Sequence, residues 1–352
     1  MTNQHSNLYK RIRRAARLVL KGENLPRLDG DSQRLPREIP AITPEEVQEA
    51  RLFFPLEKYF IFGHARSGTT LLTRLVRLHP QVHCNYQAHF FTRPPLLQTL
   101  VADPEVGAWL SRRSNRWNHG RDLSPLVLRA VSDFIMEREA RQAGKSVVGD
   151  KSPNSLLDGE AVRLLVKVYP DARLVFIVRD GRDAALSHRF QAFIDNQQSL
   201  SKEDLRIRQA FADQPELFLN GQRSLFTEKG LRQAAQGWVH NIIETDRAGR
   251  ELLPGQYHTL RYEDLLHDPH AEMQRLWAFL GVDPLAPGLA EALDAELLQN
   301  PDADWQQQKA GEIASALRKG KTGSWQEVFT ANDQQLFTEI AGETLAAWGY
   351  AR

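Results

Sequence analysis

Tyr59-Phe60-Ile61-Phe62-Gly63-His64-Ala65-Arg66-Ser67-Gly68-Thr69-Thr70-Leu71-Leu72 is the stretch on which the fold turns. Four apolar residues favour a strand, the residues from Gly63 to Gly68 a loop, and Leu71, Leu72, Leu75 and Val76 a helix with one apolar face. A strand running through a glycine-containing loop into a helix is an anion cradle. Gly68 lets the backbone come close, the first helical N–H groups point outward, and the helix dipole favours negative charge. Thr69 and Thr70 add hydroxyl donors, and Arg66 puts a planar cation inside the loop. The spacing Gly63-x-x-x-x-Gly68 matches the first half of a nucleoside-triphosphate loop, but Thr69 stands where that loop's lysine belongs. An ATP-dependent phosphotransferase is therefore the disfavoured rival.

Outward from this stretch, strands are expected at Ser146–Gly149, Leu174–Val178 and Tyr257–Leu260, besides Tyr59–Phe62. Between them helical patterns run from Thr69 to Leu78, from Ser124-Pro125, read as cap and first residue, from Glu160 to Val168 and from His270 to Leu280, the last closed by Gly281. Strand–helix alternation predicts an α/β fold, a largely parallel central sheet flanked by helices. The chain of 352 residues suits one large domain, expected at 51–352, with a polar helical insertion near 191–250 that contains Asn196, Gln197 and Gln198. Residues 1–50 read as a basic amphipathic helix from Leu8 to Lys21 and a linker marked by Pro26, Pro36 and Pro40. That helix is the basis for an expected weak contact with a membrane surface.

Composition narrows the classes further. Hydrophobic residues make up 41% and the net charge is +1, so a globular core is available and bulk attraction to nucleic acid is not expected. The longest apolar runs are about five residues, as in Leu174 to Val178, against the roughly 20 needed to span a bilayer. Cys84 is the only cysteine, which rules out an intrachain disulfide and a cysteine-built metal site and points to a reducing, cytoplasmic setting.

Gly63–Thr70 resembles the 5′-phosphosulfate loop of sulfotransferases that use 3′-phosphoadenosine 5′-phosphosulfate, in the arginine form seen in many bacterial members. Two further segments carry the resemblance. One is Arg173-Leu-Val-Phe-Ile-Val-Arg179-Asp180-Gly181-Arg182-Asp183, with Ser187 following; the other is Arg318-Lys319-Gly320-Lys321-Thr322-Gly323-Ser324-Trp325. The resemblance implies the P-loop-like sulfotransferase fold, with Arg66, Ser67, Gly68, Thr69 and Thr70 on the 5′ side of the co-substrate. It also implies that Arg179, Ser187, Arg318, Lys319 and Gly320 hold its 3′-phosphate and that Tyr262 lies near adenine. Lys151 resembles the lysine that supports the leaving phosphate in the tyrosylprotein branch.

Transfer to an acceptor hydroxyl or amine calls for a base. Where the tyrosylprotein branch has a catalytic glutamate, this chain has Cys84-Asn85-Tyr86-Gln87-Ala88-His89, which makes His89 the expected base, with His119 and Asp150 behind it. Arg66, Lys151 and His89 form the expected catalytic set. Fixed cations can carry sulfuryl transfer, so no metal is required. The acceptor, whether small molecule, glycan, lipid or peptide, stays open, and a non-catalytic module that binds adenosine 3′,5′-bisphosphate is the second rival. The plainer reading of Arg179, Asp180, Arg182 and Asp183 is a set of ion pairs in a charged turn.

Overall fold

The computed structural model describes residues 38–114, 116–156, 158–195, 198, 200–299 and 322–350. The expected helix at Leu8–Lys21, Pro26 and Pro36 of the linker, Asn196, Gln197, and Arg318, Lys319 and Gly320 lie outside the described residues. One compact unit runs from Ile39 to Arg352. It contains five strands, β1 (Glu57–Gly63), β2 (Val82–Tyr86), β3 (Val147–Lys151), β4 (Arg173–Val178) and β5 (Tyr257–Arg261). The helices before β4 are α1 (Pro44–Phe53), α2 (Thr69–Val76), α3 (Pro104–Ser111), α4 (Ser124–Gln142) and α5 (Glu160–Val168). After it come α6 (Gly181–Asp195), α7 (Lys202–Asp213), α8 (Pro215–Leu219), α9 (Glu228–Leu252), α10 (Tyr262–His267) and α11 (Pro269–Leu280). The last three are α12 (Leu289–Leu297), α13 (Trp325–Val328) and α14 (Ala331–Ala347).

The strands form one parallel sheet in the order β2-β3-β1-β4-β5. Period-two alternation sorts their side chains onto two covered faces. Phe60, Phe62, Leu174, Phe176 and Val178 pack on one face with α4, α5, α6, α9 and α14 residues such as Leu128, Leu165, Phe193, Trp238 and Phe337. Tyr59, Ile61, Val175 and Ile177 pack on the other with Leu72, Leu75, Met273, Leu276 and Leu293 of α2, α11 and α12. This is the expected α/β architecture, with a parallel central sheet flanked by helices. From β1 the chain moves towards β2, and from β4 it moves towards β5. A crevice therefore opens at the carboxyl ends of these adjacent strands, where α/β proteins hold ligands.

Three details differ from the sequence reading. The compact unit begins at Ile39, so α1, which a boundary at 50 would cut, belongs to it: Thr43 and Glu46 form a capping box, and Val47 and Ala50 are buried. The sequence also shows no strand at Val82–Tyr86, which the structure places at the sheet edge beside β3. Ser124 is the first residue of α4, with Leu123 in the cap position, because the Ser124 N–H is taken by Asp122. Beyond the polar stretch after Gln191 lie α7, α8 and the 25-residue α9.

Candidate active site

Gly63 ends β1, and the chain turns through His64–Gly68 into α2. Arg66 and Gly68 both take left-handed backbone conformations, at φ 70° and 86°. The Ser67 N–H donates to the His64 carbonyl at 3.1 Å, closing the turn. No side chain caps α2. Its leading N–H groups are thus left for an anion, and the buried Ser67 hydroxyl has no hydrogen-bond partner among the described residues. An orphaned donor at a bare helix start is a place that a phosphate oxygen would complete.

The neighbouring strand ends bring the other sequence-predicted groups to this loop. Arg179 follows β4, and its Nη1 donates to the Arg66 carbonyl at 3.1 Å. Trp238 of α9 fixes the turn by donating from Nε1 to the Arg179 carbonyl at 3.1 Å. Ser187, on α6, accepts from Arg66 Nε at 3.1 Å. Tyr262, at the start of α10, lies with its ring 4.7 Å from the Arg179 guanidinium carbon and flat against Gly68. A Cβ at Gly68 would stand 2.2 Å from Tyr262 Cδ2, so only glycine allows this approach.

On the other side of the loop, Lys151 ends β3 with its side chain buried. Its Nζ donates to Thr70 Oγ1 at 3.4 Å and lies 5.2 Å from the Tyr86 ring centroid. Burial lowers its pKa; Cys84 and Asp150 oppose that shift, and Arg66 adds to it. A buried ammonium beside an arginine is a site waiting for negative charge.

His89 has a left-handed backbone, and its N–H donates to Ser152 Oγ at 2.9 Å. Its Nδ1 lies 2.8 Å from Thr92 Oγ1. Burial, then Arg93 and Lys151, hold its pKa below the usual histidine range, so the ring is neutral near pH 7. With Nδ1 held by Thr92, Nε2 is the nitrogen turned to other work. Asp150 is differently employed: Oδ1 accepts the Ala88 N–H at 3.0 Å and Oδ2 accepts the Ser152 hydroxyl at 2.5 Å. Burial raises its pKa to about 6. Each of its oxygens thus carries a bond that ties down the His89 loop. His119 occupies an exposed turn after a short helical turn, Arg116–Asn118.

The charged turn after β4 divides its labour. Arg182 pairs with Asp180 at 2.7 Å and lies 3.6 Å from the Trp325 ring centroid, which makes it structural. Asp183 accepts the Gly323 N–H at 2.6 Å and the Trp325 N–H at 3.1 Å, tying the chain just beyond Lys321 to the first turn of α6. The ion-pair reading thus holds for Asp180 and Arg182, while Arg179 reaches the loop through the Arg66 carbonyl.

Two histidines with no expected role also line the crevice. Burial, reinforced by His188, holds the His64 pKa down at about 4, and His188 is lowered by burial, Arg66 and Arg189. Their signal was adjacency alone: His64 is inside the loop and His188 follows Ser187. Among the described residues, no cluster of His, Cys, Asp or Glu is placed to hold a metal, and no helix is long and apolar enough to cross a membrane.

The profile described as the Sulfotransferase family matches residues 59–215 and 207–287. Over 226 residues the chain is 25% identical to a protein-tyrosine sulfotransferase of Drosophila melanogaster, covering 63% of this chain and 38% of that protein's length. Over 274 residues it is 25% identical to a flavonol sulfotransferase-like protein of Flaveria bidentis, covering 71% of this chain and 82% of that one. A mouse sulfotransferase solved in complex with PAP is 17% identical, at a TM-score of 0.45 over 84% of this chain and 89% of that chain.

Proposed function

The chain belongs to the sulfotransferase family, and we propose that it transfers a sulfuryl group from 3′-phosphoadenosine 5′-phosphosulfate to a hydroxyl or amine of an acceptor. The observation that carries this reading is the convergence of Arg66, Lys151, Arg179 and Ser187 on an uncapped helix start with an orphaned Ser67 hydroxyl. When bound, the co-substrate supplies the sulfuryl group and carries the leaving charge on its 5′-phosphate.

The residues then divide the work. Ser67, Gly68, Thr69 and Thr70 hold the 5′ side through the start of α2, while Arg66 and Lys151 stabilise charge growing on the leaving oxygen. Arg179 and Ser187, with Arg318, Lys319 and Gly320, hold the 3′-phosphate, and Tyr262 supports the base. His89 Nε2 takes the acceptor proton as the acceptor oxygen or nitrogen bonds to sulfur and the sulfur–oxygen bond to the phosphate breaks. Asp150 and Ser152 hold the backbone that aims His89.

A cytoplasmic setting belongs to the same proposal, because a sequence with Cys84 as its single cysteine forms no intrachain disulfide, as suits a reducing compartment. The test is transfer of radiolabelled sulfur from the co-substrate to a panel of phenols, sugars, lipids and peptides. Label appearing in one acceptor class supports the reading. No transfer to any acceptor, together with intact binding of adenosine 3′,5′-bisphosphate, would replace it with a binding module.

A further inference from the structure

By its end the segment between β2 and α4 has reached the amino edge of the sheet, where Arg121 meets Glu49 of α1 and Arg129, early in α4, meets Asp171 just before β4. Within it, Trp109 of α3 and Trp117 lie 4.9 Å apart between ring centroids with their planes tilted by 34°, yet they remain 57% and 47% exposed. Val106, one turn before Trp109, and Leu100 are also exposed, while Gly107 and Leu110 form the buried side of α3. An amphipathic helix normally buries its apolar stripe. Here α3 turns Val106 and Trp109 outward, and the segment spends a second indole in covering the first.

Arg112, Arg113 and Arg116 lie between the two indoles in sequence and are exposed, and no ion pair with a carboxylate is formed by any of them among the described residues. Arg121, further on, is engaged by Glu49 at 3.2 Å. The nearby acids Asp103 and Glu105 stand at the opposite end of α3, where Asp103 is occupied as the helix cap. The surface therefore combines exposed indoles and aliphatic side chains with three uncompensated guanidinium groups. Indoles prefer the boundary between water and hydrocarbon, and guanidinium groups complement anionic headgroups.

We propose that Trp109, Trp117, Arg112, Arg113 and Arg116 form a docking site for an anionic lipid surface. The indoles enter the headgroup layer and the arginines pair with lipid phosphates. The site is distinct from the nucleotide crevice and from the N-terminal basic stretch.

The experiment is co-sedimentation of the full chain with vesicles of phosphatidylcholine, with and without phosphatidylglycerol. Binding is expected only to the anionic vesicles and weakens with added salt. Trp109→Ala with Trp117→Ala, and separately Arg112→Glu with Arg113→Glu and Arg116→Glu, are each expected to lower partitioning by about tenfold or more. Unchanged calorimetric binding of adenosine 3′,5′-bisphosphate shows that the variants remain folded and keeps this test separate from that of the enzymatic reading. Absence of binding to anionic vesicles overturns the proposal, as does binding that both variants leave within about twofold of the parent, which places the contact elsewhere. Loss of activity on a soluble oligosaccharide with vesicle binding intact overturns it too, because the indoles are then an acceptor platform.

Discussion

Replacing Gly68 by alanine tests how tightly the phosphate loop is built. The residue sits at φ 86°, where an L side chain costs about 1–2 kcal/mol. The new Cβ would also stand 2.2 Å from Tyr262 Cδ2 and 2.5 Å from Cε2, far inside the roughly 3.5–4.0 Å of normal carbon contact. The ring cannot retreat freely, since Arg179 is 4.7 Å from its centroid. Overpacking of this kind costs about 1–3 kcal/mol. The two contributions sum to on the order of 3 kcal/mol, or about a hundredfold in an equilibrium constant. If the loop yields, the loss appears in affinity for adenosine 3′,5′-bisphosphate; if it holds, the loss appears in stability. Titration calorimetry and urea unfolding of Gly68→Ala together capture both. Adding Tyr262→Ala should recover the steric share and leave the backbone share. A Gly68→Ala protein whose affinity and stability each stay within about 0.5 kcal/mol of the parent would refute the argument.

Arg66→Ala is expected to lower turnover by about a hundredfold while affecting co-substrate affinity much less, since the charge it meets grows in the transition state; an equal loss confined to binding contradicts that role. His89→Asn should abolish most turnover and spare nucleotide binding in calorimetry, and near-normal rates would dismiss His89 as base. The parent should prefer adenosine 3′,5′-bisphosphate to ADP by about tenfold or more. That margin should shrink in Arg179→Ala and Arg318→Ala but persist in Arg66→Ala, and equal affinity for both ligands in the parent would sink the assignment. For Asp150, burial raises the folded pKa to about 6, above an ordinary carboxyl value of about 4. The folded state therefore holds a proton that the unfolded chain releases, and on the order of 3 kcal/mol of stability is lost as pH rises from about 4 to about 6. Unfolding curves across that range should flatten in Asp150→Asn, and identical slopes for both proteins would count against it.

The fold was legible where hydrophobic patterning is one-sided or continuous. Arg173–Val178 and Tyr59–Phe62 are apolar on both alternations because both faces of the sheet are covered. β2 was illegible because Val82-His83-Cys84-Asn85-Tyr86 mixes polar and apolar residues, as an edge strand can, and its pairing is supplied by distant β3. The start of α1 did carry a signal, Thr43-Pro44-Glu45-Glu46, but the prolines before it made the whole stretch read as linker. At the site, Arg66, Lys151, Arg179, Ser187 and Tyr262 could be named because they fall in motifs that resemble the family's, and Lys151, Arg179 and Tyr262 sit at or just after strand ends. The division of roles among Asp150, Ser152 and Thr92 could not, because it depends on which backbone amide or ring nitrogen each side chain meets.

Asp183 sets a condition on how the molecule reaches its native state. Its two oxygens receive N–H groups 140 and 142 positions later in the chain, while α6, which carries it, is a local element able to form early. Until the Gly323–Trp325 region arrives, that carboxylate lacks the partners that offset its desolvation, so the crevice is completed late in folding. A ribosome-bound chain that has exposed the sheet but not its final helices would hold an unfinished crevice. Recovery of nucleotide binding should then lag behind recovery of secondary structure when the protein refolds from urea.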